Sequence, residues 1–128
     1  MSVLSIVEKH YHIHIFTAEC YKNLGIIQAM QGDYSNASEN IKTSLKIYDK
    51  LNIKNHPLLA GVHVQYGRLF DKINYNDEAH KSYSKAFEMR LLNFGKAHHL
   101  TAKSATDIAR VLLFKAFAEN STENTELS

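Results

Sequence analysis

His14, His56 and His98 fall at intervals of 42 residues, as do Ala18, Ala60 and Ala102 and the small residues Gly25, Gly67 and Ala109. A fixed period of this length means that the chain stacks one supersecondary unit upon itself, and it removes most other folds from consideration. The same register pairs Ala37 with Ala79, Leu45 with Phe87, Ile47 with Met89 and Lys54 with Lys96, so the repeat runs through both halves of the unit.

Within a unit the apolar residues recur at helical spacing: Phe16, Cys20, Leu24 and Ile27, then Ile41, Leu45, Ile47, Tyr48 and Leu51. That spacing predicts two amphipathic helices with these residues, Cys20 included, in the core. In Gln31-Gly32-Asp33 between them, Gly32 supplies a left-handed turn and Asp33 an N-cap, so the helices run antiparallel. Asn74 takes the place of Gly32 in the next unit, and Asn55-His56-Pro57 starts the helix between units because proline fits the first helical turn. The predicted helices span 15–30, 34–51, 57–73, 76–93 and 99–118. Residues 1–13 are assigned to a partial preceding helix and a loop, because Val3, Leu4, Ile6 and Val7 align with the second helix of a unit. The repeat domain covers 14–119, with units at about 14–55, 56–97 and a half unit at 98–119. Residues 120–128 hold one aliphatic residue and are expected to be a disordered tail.

These residues resemble the tetratricopeptide repeat, whose large-x-x-Leu-Gly start is matched by Tyr21, Leu24 and Gly25 and more loosely by His63, Tyr66 and Gly67. Ala37 with Ile41, and Ala79 with Tyr83, match the alanine and large residue of its second helix. The long period and the His-Pro junction are similar to the kinesin light chain subtype, although Ile53 stands where a glycine is expected and His99 where a proline is. The resemblance implies an all-α fold of antiparallel helix–turn–helix repeats stacked into a short right-handed superhelix. It also implies a concave groove, lined by the first helix of each unit, that holds a peptide or a segment of a partner protein. That register puts Lys22, Asn23, Gln65, Arg68, Lys72, Lys103, Asp107 and Arg110 on or near the groove. Arg68 and Arg110, one period apart, suit a carboxylate or acidic peptide. The alternative is that these charges form a solvated face or pair with Asp71 and Asp107.

Composition bounds the remaining classes. The 128 residues suffice for one domain, with 45% hydrophobic and 22% charged residues. A net charge of +2 is too small for general attraction to nucleic acid or an anionic membrane. The apolar run around Val111 to Phe117 is interrupted by Lys115, and the lone Cys20 has no disulfide partner, which together predict a soluble, cytoplasmic protein. Phosphate-binding glycine loops, paired CxxC motifs and a GxSxG elbow are absent, so no enzyme, no catalytic residue and no cofactor is expected. His10, His12 and His14 would line one face of a strand and invite a metal. His14 is accounted for as the junction residue equivalent to His56 and His98, which leaves a metal site as the most distant reading. Val111, Leu112, Leu113, Phe114 and Phe117 form an apolar last helix without a following partner, which suits either a segment of a longer array or a homodimer through that helix.

Overall fold

A computed structural model describes residues 2–127, the side chains of residues 4, 7, 8 and 121–127 excepted. It contains five helices, α1 (Val3–Met30), α2 (Tyr34–Lys50), α3 (Pro57–Lys72), α4 (Asn76–Phe94) and α5 (His99–Leu127), with no strand among the described residues. Each packs mainly on its neighbours in sequence, as expected of a stack of hairpins.

The turns follow from local chemistry. Gly32 and Asn74 both adopt positive φ, at 82° and 63°, and Asp33 accepts a hydrogen bond from the Asn36 amide to start α2. Pro57 occupies the first turn of α3. The start of that helix has a feature not anticipated from the sequence: His56 Nδ1 accepts the Leu58 N–H at 3.0 Å, and His98 Nδ1 does the same for Leu100 at 3.1 Å. The junction histidines are therefore N-caps, each satisfying a donor that the first helical turn leaves over.

His14 does not share this role. The expected partial helix and loop at 1–13 are replaced by one helix of 28 residues, capped by Ser2 and running through His14 without a break. No glycine or proline interrupts residues 3–14, and no Asn-His-Pro precedes Ala18, so nothing in the sequence stops the helix there. His10 and His14 then stand one turn apart, with ring centroids at 4.3 Å, and strand-like alternation with His12 is lost. At the other end α5 continues past the expected limit of 118. The tail reading of 120–128 falls largely on side chains outside the described residues.

The core divides along α3. One cluster joins Ala18, Ala37, Ile41 and Tyr48 to Leu59, Val62 and Leu69, and the other joins Val64 to Ala79, Tyr83, Ala86 and Val111. Helices within a unit approach closely because of the repeated small residues. A Cβ on Gly25 would lie 2.8 Å from Ile41 Cγ1, and one on Gly67 would lie 2.7 Å from Tyr83 Cε1. Polar ties reinforce the packing, as where the buried Ser44 hydroxyl donates to the Ala18 carbonyl at 2.8 Å.

The expectation that Phe16, Cys20, Leu24 and Ile27 are core residues is corrected by the structure: all four are exposed. Their equivalents one unit on include Val62 and Leu69, both buried against the preceding unit. In α1 no described element covers that side.

Candidate functional site

Two cavities open between successive units at the end where the helix–turn–helix turns lie. The first, of about 370 Å³, is walled by Ile26, Ala29 and Met30 from α1, Tyr34 and Ile41 from α2, and Gln65, Arg68, Leu69 and Lys72 from α3. The second, of about 410 Å³, takes Arg68, Asp71 and Lys72 from α3, Asn74 from the turn, Asn76 and Tyr83 from α4, and Arg110, Val111 and Phe114 from α5. Arg68 and Lys72 line both, so the cavities meet at a ridge formed by the last turns of α3.

The two arginines of the predicted pair differ in their surroundings. Arg110 is tied inward, with Nη2 donating to Asp71 Oδ2 at 3.0 Å and to the Tyr83 hydroxyl at 3.1 Å, and Nη1 donating to Asp107 Oδ1 at 3.2 Å. Its guanidinium also lies 5.7 Å from the centroid of the Tyr83 ring. Burial alone would lower the Arg110 pKa, but the bond to Asp71 and the proximity of Tyr83 and Asp107 leave it raised. Tyr83 donates its own hydroxyl proton to Asp71 at 2.7 Å, and burial followed by this bond raises its pKa. Among the described residues Arg68 and Lys72 are exposed and make no ion pair or side-chain hydrogen bond, so their positive charge is uncompensated by a contact.

The other predicted groove residues are dispersed. Gln65 lines the first cavity. Lys22 is held by Glu19 at 2.7 Å, while Asn23 and Lys103 are exposed; none of the three lines either cavity. Asp107 is buried, 5% exposed, and lies under Arg110. Asn74, Asn76 and Tyr83 were not singled out as groove residues from the sequence, because that reading was confined to first helices and these come from the turn and second helix. The repeat register did contain a signal for Tyr83: the large residue seated against Gly67 must emerge beside the next unit.

The site therefore offers two partly apolar recesses joined by free cations, an arrangement suited to a chain segment with side chains on both sides of an acidic group. Cys20 lines neither cavity. Among the described residues no group of three or more His, Cys, Asp or Glu side chains is placed to hold a metal, and no helix is long and apolar enough to cross a membrane. A family model described as tetratricopeptide repeat matches residues 16–91, more than half of the chain, from within α1 to within α4. No curated protein matches the chain.

Proposed function

The chain belongs to the tetratricopeptide repeat family, and on that premise we propose that it is a non-catalytic binding module that holds an acidic segment of a partner protein across the two cavities. The observation that carries this reading is the ridge of Arg68 and Lys72, two cations without an internal anion at the point where both recesses meet. Arg110, although 54% exposed, braces the wall of the second cavity through its bonds to Asp71 and Tyr83. The 42-residue period and the His56-Pro57 junction support the kinesin light chain-like subtype, and the unpaired thiol of Cys20 supports a reducing, cytoplasmic setting.

A screen of displayed peptides against the protein, followed by calorimetry on the enriched sequences, tests the proposal. Acidic peptides are expected to be enriched. Arg68→Glu/Lys72→Glu is expected to weaken them by about 10-fold or more, since a hydrogen bond to a charged group contributes roughly 1.5–3 kcal/mol. Neutral or basic binders, or affinities untouched by the charge reversal, would end the groove assignment.

A second reading, self-association through the C-terminal helix, is favoured by Leu112, Leu113 and Phe117, which are 49%, 61% and 71% exposed on α5.

A further inference from the structure

Both helices that open a new unit after the first are capped by a side chain that can gain a proton. His56 ends the loop before α3 in extended backbone, and its Nδ1 accepts the Leu58 N–H at 3.0 Å. His98 does the same one period later, accepting the Leu100 N–H at 3.1 Å. The other helix starts are built differently. Ser2 and Asp33 cap α1 and α2 with oxygen acceptors, and α4 begins without a side-chain cap bond. Among the described helix starts, histidine stands only at the two places where one unit is joined to the next.

A hydroxyl or a carboxylate remains an acceptor throughout the range from about pH 5 to about pH 8, whereas histidine is the side chain whose charge ordinarily changes there. Nδ1 accepts a hydrogen bond only in the neutral tautomer that carries its proton on Nε2, and a second proton turns both ring nitrogens into donors. The charged ring then sets an N–H against the Leu58 or Leu100 N–H, at a helix start where the macrodipole is already positive. One proton thus removes an acceptor and adds repulsion at the same spot. We propose that His56 and His98 are proton-sensitive latches between units, which hold the first turns of α3 and α5 when neutral and release them when charged.

The groups that face the two rings do not compensate the added charge. Around His56 they are the Tyr48 phenol of α2, with ring centroids 6.3 Å apart, and the uncharged Asn93 amide of α4, which bonds the neighbouring Asn55. Around His98 they are the Phe94 ring of α4 at 4.3 Å, the His99 ring at 4.4 Å and the Arg90 guanidinium, which donates to the Leu100 carbonyl at 3.3 Å. Lys54 and Lys96, two residues before each cap, are exposed and positive. Among the described residues neither imidazole pairs with a carboxylate.

The release has a defined reach. Leu59, in the first turn of α3, is buried in the cluster with Ile41 and Tyr48 of the preceding unit. Thr101, in the first turn of α5, is buried and donates to the Arg90 carbonyl at 3.2 Å. Fraying these turns loosens one unit from the next, while the turns within each unit do not depend on a histidine. The latch on α3 lies at the opposite end of that helix from Arg68 and Lys72, so the inference is independent of the peptide reading.

Nitrogen-15 NMR on the intact chain at about pH 7.5 and about pH 5.5, either side of an ordinary imidazole titration, tests the proposal. At the higher pH both rings are expected in the Nε2–H tautomer, with Nδ1 showing the shift of an acceptor nitrogen. At the lower pH the Leu58 and Leu100 amides are expected to exchange with water about 5-fold faster relative to their intrinsic rates, the ratio that a cap of roughly 1 kcal/mol corresponds to. His56→Asn/His98→Asn keeps an acceptor at both caps and is expected to abolish that change. His63 is retained in this variant, so an acid effect arising there would persist. An Nδ1–H tautomer at either ring at neutral pH, wild-type amides indifferent to pH, or the same acid response in the asparagine variant would each overturn the proposal. The tautomer measurement uses the wild type alone, so it decides even where the variant does not fold.

Discussion

Gly61 and Gly67 share a helix and differ in everything that decides the effect of a methyl group. Replacing an exposed helical glycine by alanine gains roughly 0.5–1 kcal/mol, because the unfolded chain loses freedom and the helix is favoured. Nothing lies within 4 Å of a Cβ at Gly61, so Gly61→Ala is expected to stabilise the protein by about that amount. At Gly67 the added carbon meets a ring whose hydroxyl is bonded to Asp71 and Arg110, and the ring cannot retreat without breaking those bonds. Gly67→Ala is therefore expected to destabilise by about 1–3 kcal/mol. Urea midpoints of the two variants, at unchanged slope, check both signs.

His63 gives the same scale a pH dependence. Burial, and secondarily the Lys85 ammonium, hold its pKa down to about 4 from an ordinary 6.5. Between these values the native ring is neutral while the unfolded one takes up a proton. Stability is thus fully present above pH 6.5 and is lost as pH falls toward 4, by at most on the order of 3 kcal/mol. Urea unfolding across this window should show a steeper acid loss for the wild type than for His63→Gln; equal slopes would remove His63 as the cause. The small residues at which helices meet were legible from their period alone. The burial of His63 was not, because its place in the repeat says which unit it belongs to and nothing about what lies over it.

At the level of the helix, the turns were legible and the ends of the stack were not. Gly32, Asp33, Asn74 and Pro57 each carry a backbone preference of their own, and the helices begin and end beside them as that preference dictates. Asn52, which also takes a positive φ of 58°, and the histidine caps had no such signature, since the cap depends on the ring reaching back to an amide two residues on. The repeat register reaches back to His14, but the breaking residues of the later junctions are missing there, so α1 runs on through it. That first stretch is helical by propensity, and no described residue of α1 before Ala18 is buried. Isolated helical turns are marginal without tertiary burial. Amides of residues 7–13 are therefore expected to exchange with solvent much faster than those of residues 18–29 in hydrogen-exchange mass spectrometry. Uniform protection along α1 would show that its first turns are held by something other than the packing described above.

For the molecule as a whole, the period disclosed the stacking and hence the general position of the groove. It could not disclose which charges remain free. Asn23, Gln65 and Asp107 occupy one register, yet the first is exposed, the second half-buried and the third buried, because each has a different neighbour behind it. Likewise Arg68 and Arg110 are equivalent in sequence, and only the latter finds a tyrosine and two carboxylates at hand. Arg110 makes the pairs with Asp71 and Asp107 that the sequence offered as an alternative, while still lining the second cavity.

The division of the core by α3 has a consequence in how the stack responds to its solvent. Among the described residues no side-chain hydrogen bond or ion pair joins α2 to α3, where Ile41 and Tyr48 meet Leu59, Val62 and Leu69. The junction to α5 is instead tied by Arg90 to Ser104 at 2.8 Å, Thr101 to the Arg90 carbonyl at 3.2 Å, Arg110 to Asp71 at 3.0 Å and Lys115 to Asp77 at 2.9 Å. Apolar contact weakens on cooling, whereas exposed ion pairs are screened by added electrolyte. The α5 junction, which also packs Val111 into an apolar cluster with Val64 and Tyr83, is thus the one that added salt loosens, whereas the seam between α2 and α3 holds no ion pair for salt to screen among the described residues.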